Sequence, residues 1–96
     1  MLILVCYDVN TETKLGRRRL RQVAKLCESH GQRAQKSVFE CNLTEVLYIQ
    51  FESRLLGIID EEEDNLRFYF IDEGSKKKTK IFGVDKVVDF EKNMVL

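Results

Sequence analysis

The sequence predicts an α+β domain in which two helices lie on one face of an antiparallel sheet. Three observations carry that reading. Residues 1–9 form a near-continuous apolar run, as expected of a strand buried on both faces, and it is interrupted only by Asp8. Two later segments repeat apolar residues at helical spacing. Between and after them lie short stretches of alternating or β-rich sequence, giving the order strand, helix, strand, strand, helix, strand. Two β-α-β halves joined by a hairpin make the split β-α-β, or ferredoxin-like, pattern.

The first strand ends on Asp8, and two readings fit that residue. An acid at the end of a rigid buried strand can be held where the sheet meets solvent, which is how a fold aims a catalytic or metal-binding oxygen. Alternatively, Asp8 accepts an N–H from the turn over Asn10 and Thr11. Thr11 or Thr13 is then placed to cap the first helix. In that helix Leu20, Val23, Ala24 and Cys27 define one apolar stripe, Arg19 and Leu26 fall at its flanks, and Gly31 is read as a left-handed stop. Arg17, Arg18, Arg21 and Lys25 occupy the opposite side with almost no acid to pair with. Such a stripe is either a solvated face or a phosphate-binding surface.

Residues 33–36 and 38–43 read as two short strands meeting around Ser37, with Phe39, Cys41 and Leu43 on one side. Residues 46–51 have strong strand propensity. A stripe of Leu47, Phe51, Leu55 and Ile58, joined by Tyr48 and Ile59, nevertheless runs too long for a strand, so the segment is predicted as a helix starting near Thr44. The acidic run 60–64 is read as a solvated loop rather than a metal cluster, because adjacent side chains cannot all converge on one ion. Leu66, Phe68 and Phe70 then face one way along a fourth strand. A basic loop holds Lys76, Lys77 and Lys78, and a short fifth strand is placed near residues 80–84.

Ninety-six residues make a single domain over 1–96. The net charge of zero conceals segregation. Residues 14–36 hold eight Lys or Arg against Glu28 alone, whereas residues 40–73 hold ten acids against two Arg. A strongly positive face is therefore compatible with a neutral total. Cys6, Cys27 and Cys41 read as reduced thiols of a cytoplasmic protein, and with one histidine and no Cys-x-x-Cys there is no zinc motif. The apolar start is too short to span a bilayer and lacks signal-peptide features, so no membrane association is expected. The first strand is apolar on both faces, with Leu2, Leu4 and Cys6 opposing Ile3, Val5 and Tyr7. Two helices cannot cover that much, which predicts a homodimer formed through the open sheet face. Residues 80–96 are expected to form an extended C-terminal tail that crosses to the partner subunit.

Leu4-Val5-Cys6-Tyr7-Asp8-Val9, the Arg-rich helix, and Gly31-Gln32-Arg33-Ala34-Gln35-Lys36-Ser37-Val38-Phe39-Glu40 together resemble the CRISPR-associated protein two family. Members are the small partners of the CRISPR integrase in spacer acquisition. Leu66-Arg67-Phe68-Tyr69 fits the family's fourth strand, and the match is weakest after Phe82. The resemblance implies a ferredoxin-like homodimer with swapped C-terminal strands. It also implies an endonuclease dependent on Mg²⁺ or Mn²⁺, acting on single-stranded RNA or double-stranded DNA. Asp8 matches the proposed catalytic residue and metal ligand, one from each subunit. Tyr7, Ser37 and Phe39 stand as supporting residues. Arg17, Arg18, Arg21, Lys25, Arg33, Lys76, Lys77 and Lys78 are the expected nucleic-acid-binding set. The alternative reading is a non-catalytic scaffold that bridges integrase subunits on a duplex. A ligand-sensing dimer fits least, for lack of a glycine-rich loop or convergent polar cluster.

Overall fold

The computed structural model describes residues 1–71 and 78–84. In chain order it contains β1 Leu2–Asp8, α1 Lys14–Glu28, β2 Gln32–Gln35, β3 Val38–Asn42, α2 Glu45–Ile58, β4 Asn65–Phe70 and β5 Lys78–Gly83. The strands form one sheet in the order β2-β3-β1-β4-β5, antiparallel at every junction. The first four strands and two helices realise the predicted ferredoxin-like pattern, and β5 adds a fifth strand at the β4 edge.

Strand alternation decides which residues meet the helices. Ile3, Val5 and Tyr7 of β1 are buried, and the register places them beside Phe39 and Cys41 of β3 and Leu66, Phe68 and Phe70 of β4. From the helices, Val23, Leu26 and Cys27 of α1 and Tyr48, Phe51 and Leu55 of α2 complete this core. Phe68 is its centre, meeting Tyr48 edge-on at 5.4 Å and Phe51 edge-on at 6.3 Å. The opposite face carries Leu2, Leu4 and Cys6, which are only partly buried. Ile71 donates its N–H to the Leu2 carbonyl and is 49% exposed on that same side. Ile81, across from Arg67, is 43% exposed.

Both helices start on a threonine whose side-chain oxygen accepts a backbone N–H. Thr13 Oγ1 takes that of Gly16 at 3.0 Å, and Thr44 Oγ1 that of Leu47 at 3.2 Å. The helix predicted over the β-prone segment is therefore present, but its stripe is rotated. Tyr48, Phe51 and Leu55 face the core, while Leu47 is 46% exposed. Leu26 moves the other way, from the expected flank into the core. Gly31 does not turn left-handed, because the only described glycine with positive φ is Gly83, at 88°. Its role is close approach: a Cβ there would strike the Glu40 carbonyl oxygen.

Lys78–Gly83 pair with β4 of their own chain, Lys80 opposite Phe68 and Phe82 opposite Leu66, as the short fifth strand expected there. Residues 85–96 lie outside the described residues, as do Lys76 and Lys77. Among the described residues, no helix is long and apolar enough to cross a membrane.

Candidate functional site

Asp8 is the last residue of β1 and is exposed. Alternation puts it on the sheet face away from the helices, in line with Cys6, and in register with Asn65 at the start of β4. Asn65 is engaged on both sides: its Nδ2 donates to the Val84 carbonyl at 2.7 Å, and its Oδ1 accepts from Arg67 Nε at 3.1 Å. Arg67 is buried on this face and reaches the Tyr69 hydroxyl at 3.4 Å. The sequence signal for Arg67 was available, a single cation inside an otherwise apolar strand, and the sequence reading passed over it.

Behind the strand end sits a second carboxylate with a different fate. Asp64, the last acid of the run 60–64, is fully buried. Its Oδ2 accepts from Arg19 Nε at 2.8 Å and from the Asp60 N–H at 2.9 Å, while its Oδ1 accepts from the Asn10 N–H at 2.9 Å and from Arg19 Nη2 at 3.3 Å. Burial alone would push this carboxyl up. The Arg19 hydrogen bonds, the Asp60 and Asn10 N–H groups and the Arg19 charge together hold it below its ordinary value. The acidic run is thus only partly the solvated loop expected of it. Its final member is drawn inside where the chain turns into β4.

The predicted cations divide into several groups. Arg17, Arg18, Arg21 and Lys25 all lie exposed along the outer side of α1, and Arg17 Nη1 reaches back to the Thr11 carbonyl at 3.2 Å, in the loop just after Asp8. Arg19, expected at the flank of the apolar stripe, pairs with Asp64. Arg33 lies over the Phe39 ring at 4.8 Å and donates to Glu28 at 2.7 Å and to the Lys36 carbonyl at 2.6 Å. Both partners of that ion pair are roughly half exposed, so it is a weak hold. Lys78 is not beside the α1 row. It opens β5, with its ammonium 6.0 Å from the Phe70 ring centre. Of the supporting residues, Tyr7 and Phe39 are core, with ring centres 6.2 Å apart, and the Ser37 carbonyl accepts the Tyr7 N–H at 3.1 Å.

The remaining chemistry is quiet. Burial pushes the Cys27 thiol up to about 12 and Cys41 up to about 11, and raises Cys6 against the lowering pull of Arg67. These thiols stay protonated at neutral pH and supply no nucleophile. His30 stacks on Phe51 at 4.5 Å and directs Nδ1 to the Leu26 carbonyl at 2.9 Å, so the single histidine is used in packing. Among the described residues, no three His, Cys, Asp or Glu side chains come together to hold a metal ion. At the strand end, one chain offers a divalent cation the Asp8 carboxylate. That donor is oxygen-only, as Mg²⁺ and Mn²⁺ require, but it is half of what a two-carboxylate site needs.

Residues 1–79 match the family model of CRISPR associated protein Cas2. The chain belongs to the Cas2 family. It is 49% identical over 96 residues to the CRISPR-associated endoribonuclease Cas2 1 of Moorella thermoacetica, spanning 100% of both chains. It is 40% identical over 95 residues to the CRISPR-associated endonuclease Cas2 of Halalkalibacterium halodurans, spanning 99% of each. A crystal structure of Streptococcus pyogenes Cas2 at pH 6.5 superposes with a TM-score of 0.70 at 54% identity, covering 77% of this chain and 89% of that one. The fold and family expected from the sequence are both met. Within that family frame, Asp8 is the exposed acid at the end of the central strand, and the α1 arginines form the exposed cationic row.

Proposed function

We propose that this Cas2-family chain is a homodimeric, divalent-metal-dependent endonuclease that hydrolyses phosphodiesters in single-stranded RNA or double-stranded DNA. We further propose that it works beside the CRISPR integrase in spacer acquisition, in the cytoplasm. The observation that carries the reading is Asp8: a carboxylate exposed at the end of a strand whose inward residues are fully packed. The names of two relatives, an endoribonuclease and an endonuclease, point to the same chemistry. The partly covered face bearing Leu2, Leu4, Ile71 and Ile81 supports pairing of two copies, which would bring one Asp8 from each to a shared position.

In that arrangement the two Asp8 carboxylates would hold Mg²⁺ or Mn²⁺, which when bound polarises a phosphodiester and acidifies a water. Arg17, Arg18, Arg21 and Lys25 grip phosphates without reading bases. Arg33 exchanges Glu28 for a phosphate at small cost, because its present pair is exposed. Asp8→Asn should abolish Mg²⁺-dependent cleavage while leaving fold and duplex binding intact. Cleavage at the wild-type rate by a folded Asp8→Asn protein would remove Asp8 from the chemistry.

A second reading, the non-catalytic duplex-binding bridge, is favoured by one observation: Arg17, Arg18, Arg21 and Lys25 lie exposed along one side of α1. Arg18→Ala with Arg21→Ala should weaken duplex binding roughly equally for all sequences and lower its salt slope by about two. Unchanged affinity with an unchanged slope would leave those arginines as a solvated face.

A further inference from the structure

We propose that Asp64 and Arg19 are positioning residues for Asp8. The inference rests on the reading of Asp8 as the catalytic acid, and it assigns a role to a pair that lies outside the exposed cationic row. The pair reaches Asp8 along two backbone routes. On one side, Asp64 Oδ1 accepts the N–H of Asn10, two residues beyond Asp8, at 2.9 Å. On the other, the residue after Asp64 is Asn65, which lies opposite Asp8 in the β1–β4 ladder. One buried carboxylate therefore fixes both the chain leaving Asp8 and the strand paired with it.

The rest of the network prevents Asp64 from yielding. An ionised carboxylate has about four acceptor sites, and here four donors fill them: the Asn10 and Asp60 N–H groups and two guanidinium nitrogens of Arg19. Arg19 supplies the fork that makes the contact bidentate and anchors it to α1. Two further contacts clamp the same corner. The Asp64 carbonyl accepts the Val84 N–H at 2.9 Å, and Asn10 Nδ2 donates to Glu63 at 2.8 Å. Gly83 passes so close that a Cβ would collide with that carbonyl. A general stabilising ion pair has no reason to sit at this strand end rather than elsewhere. A site whose reactive oxygen must hold its place to within about half an ångström does need such support.

The test uses the full chain and compares Asp64→Asn and Arg19→Lys with Thr44→Ala. The last removes the α2 cap at the opposite end of the sheet, where β3 pairs with the start of β1. Cleavage of a defined RNA or duplex in Mg²⁺ is measured well below each melting temperature, together with amide hydrogen exchange at residues 9–11. Asp64→Asn should lower kcat at least tenfold with KM within twofold of wild type, and should speed Asn10 exchange at least tenfold. Arg19→Lys, which keeps the charge but loses the fork, should fall between. Thr44→Ala should lower the melting temperature without changing kcat or Asn10 exchange. The positioning role is overturned if folded Asp64→Asn or, should that variant not fold, Arg19→Lys keeps wild-type kcat and Asn10 exchange. It is overturned equally if Thr44→Ala lowers kcat as much as they do. Wild-type cleavage by Asp8→Asn would instead overturn the catalytic reading alone. Faster Asn10 exchange in the pair variants would then still support their hold on the strand end, and unchanged exchange would refute it.

Discussion

Two of the acid–base contacts made by the helices differ in kind. At the strand end beneath Asp8, Asp64 is fully buried and its four acceptor sites are filled. On the β5 edge, Glu52 of α2 meets Lys80 at 3.3 Å with side chains 19% and 39% exposed, and also accepts the Tyr48 hydroxyl. If its partner is lost, Asp64 has no water to fall back on, whereas Glu52 and Lys80 both have some. The same pairing of charges is therefore a rigid fixture in one place and an adjustable one in the other.

Breaking the buried contact should give the larger effect. Asp64→Ala strands Arg19 and two N–H groups. A fully buried pair costs about 3–5 kcal/mol to break, but Arg19 keeps 17% of its side chain exposed, so about 2–3 kcal/mol is expected in urea unfolding. A loss under about 1 kcal/mol would mean that the network is dispensable to the fold.

Acid should erase much of that difference. The folded-state pKa of Asp64 lies below its ordinary value. Its contribution is therefore complete above the ordinary carboxylate range and is lost as pH falls through the depressed value. The stability gap between wild type and Asp64→Ala should be widest near neutral pH and narrow progressively below about pH 4. A gap independent of pH between neutral and the acid limit of folding would show that the carboxylate's charge contributes nothing.

Lys80→Ala tests the other contact and should cost only about 0.5 kcal/mol, because the Glu52 left behind can hydrate. Its effect should shrink further in added salt. A loss as large as that of Asp64→Ala would erase the distinction between the two regions.

These contacts also mark where the sequence was readable. Strand alternation in residues 38–43 and 66–70, the length of α2 and its threonine cap are local properties, and the structure bears them out. The facing of Leu47 was not local. The stripe could begin at 47 or 48, and only the approach of Phe68 and Phe70 to Tyr48 selects the second. Asp64 was hidden for the same reason. Nothing in a run of five acidic residues says which one will be drawn inside, because its partners Asn10 and Arg19 lie 54 and 45 residues away. Gly31 suggested a helix stop by its place in the chain, whereas its use depends on the later strand that crosses it. Asp8 was legible as the acid ending a central strand; the corner that steadies it was not.

The strand order has a consequence in time. β1 is made first, yet it lies between β3 and β4, whose pairings reach from Leu2 to Asn42 and from Asp8 to Asn65. During synthesis the segment bearing Asp8 has no partner on its β4 side until some sixty residues have followed it. Closing that long loop is a late and entropically costly event. The corner around Asp8 is therefore assembled only when the topology is complete, so a partly made chain carries the acid without the frame. In this molecule, acquiring the ordered site and finishing the fold are one event.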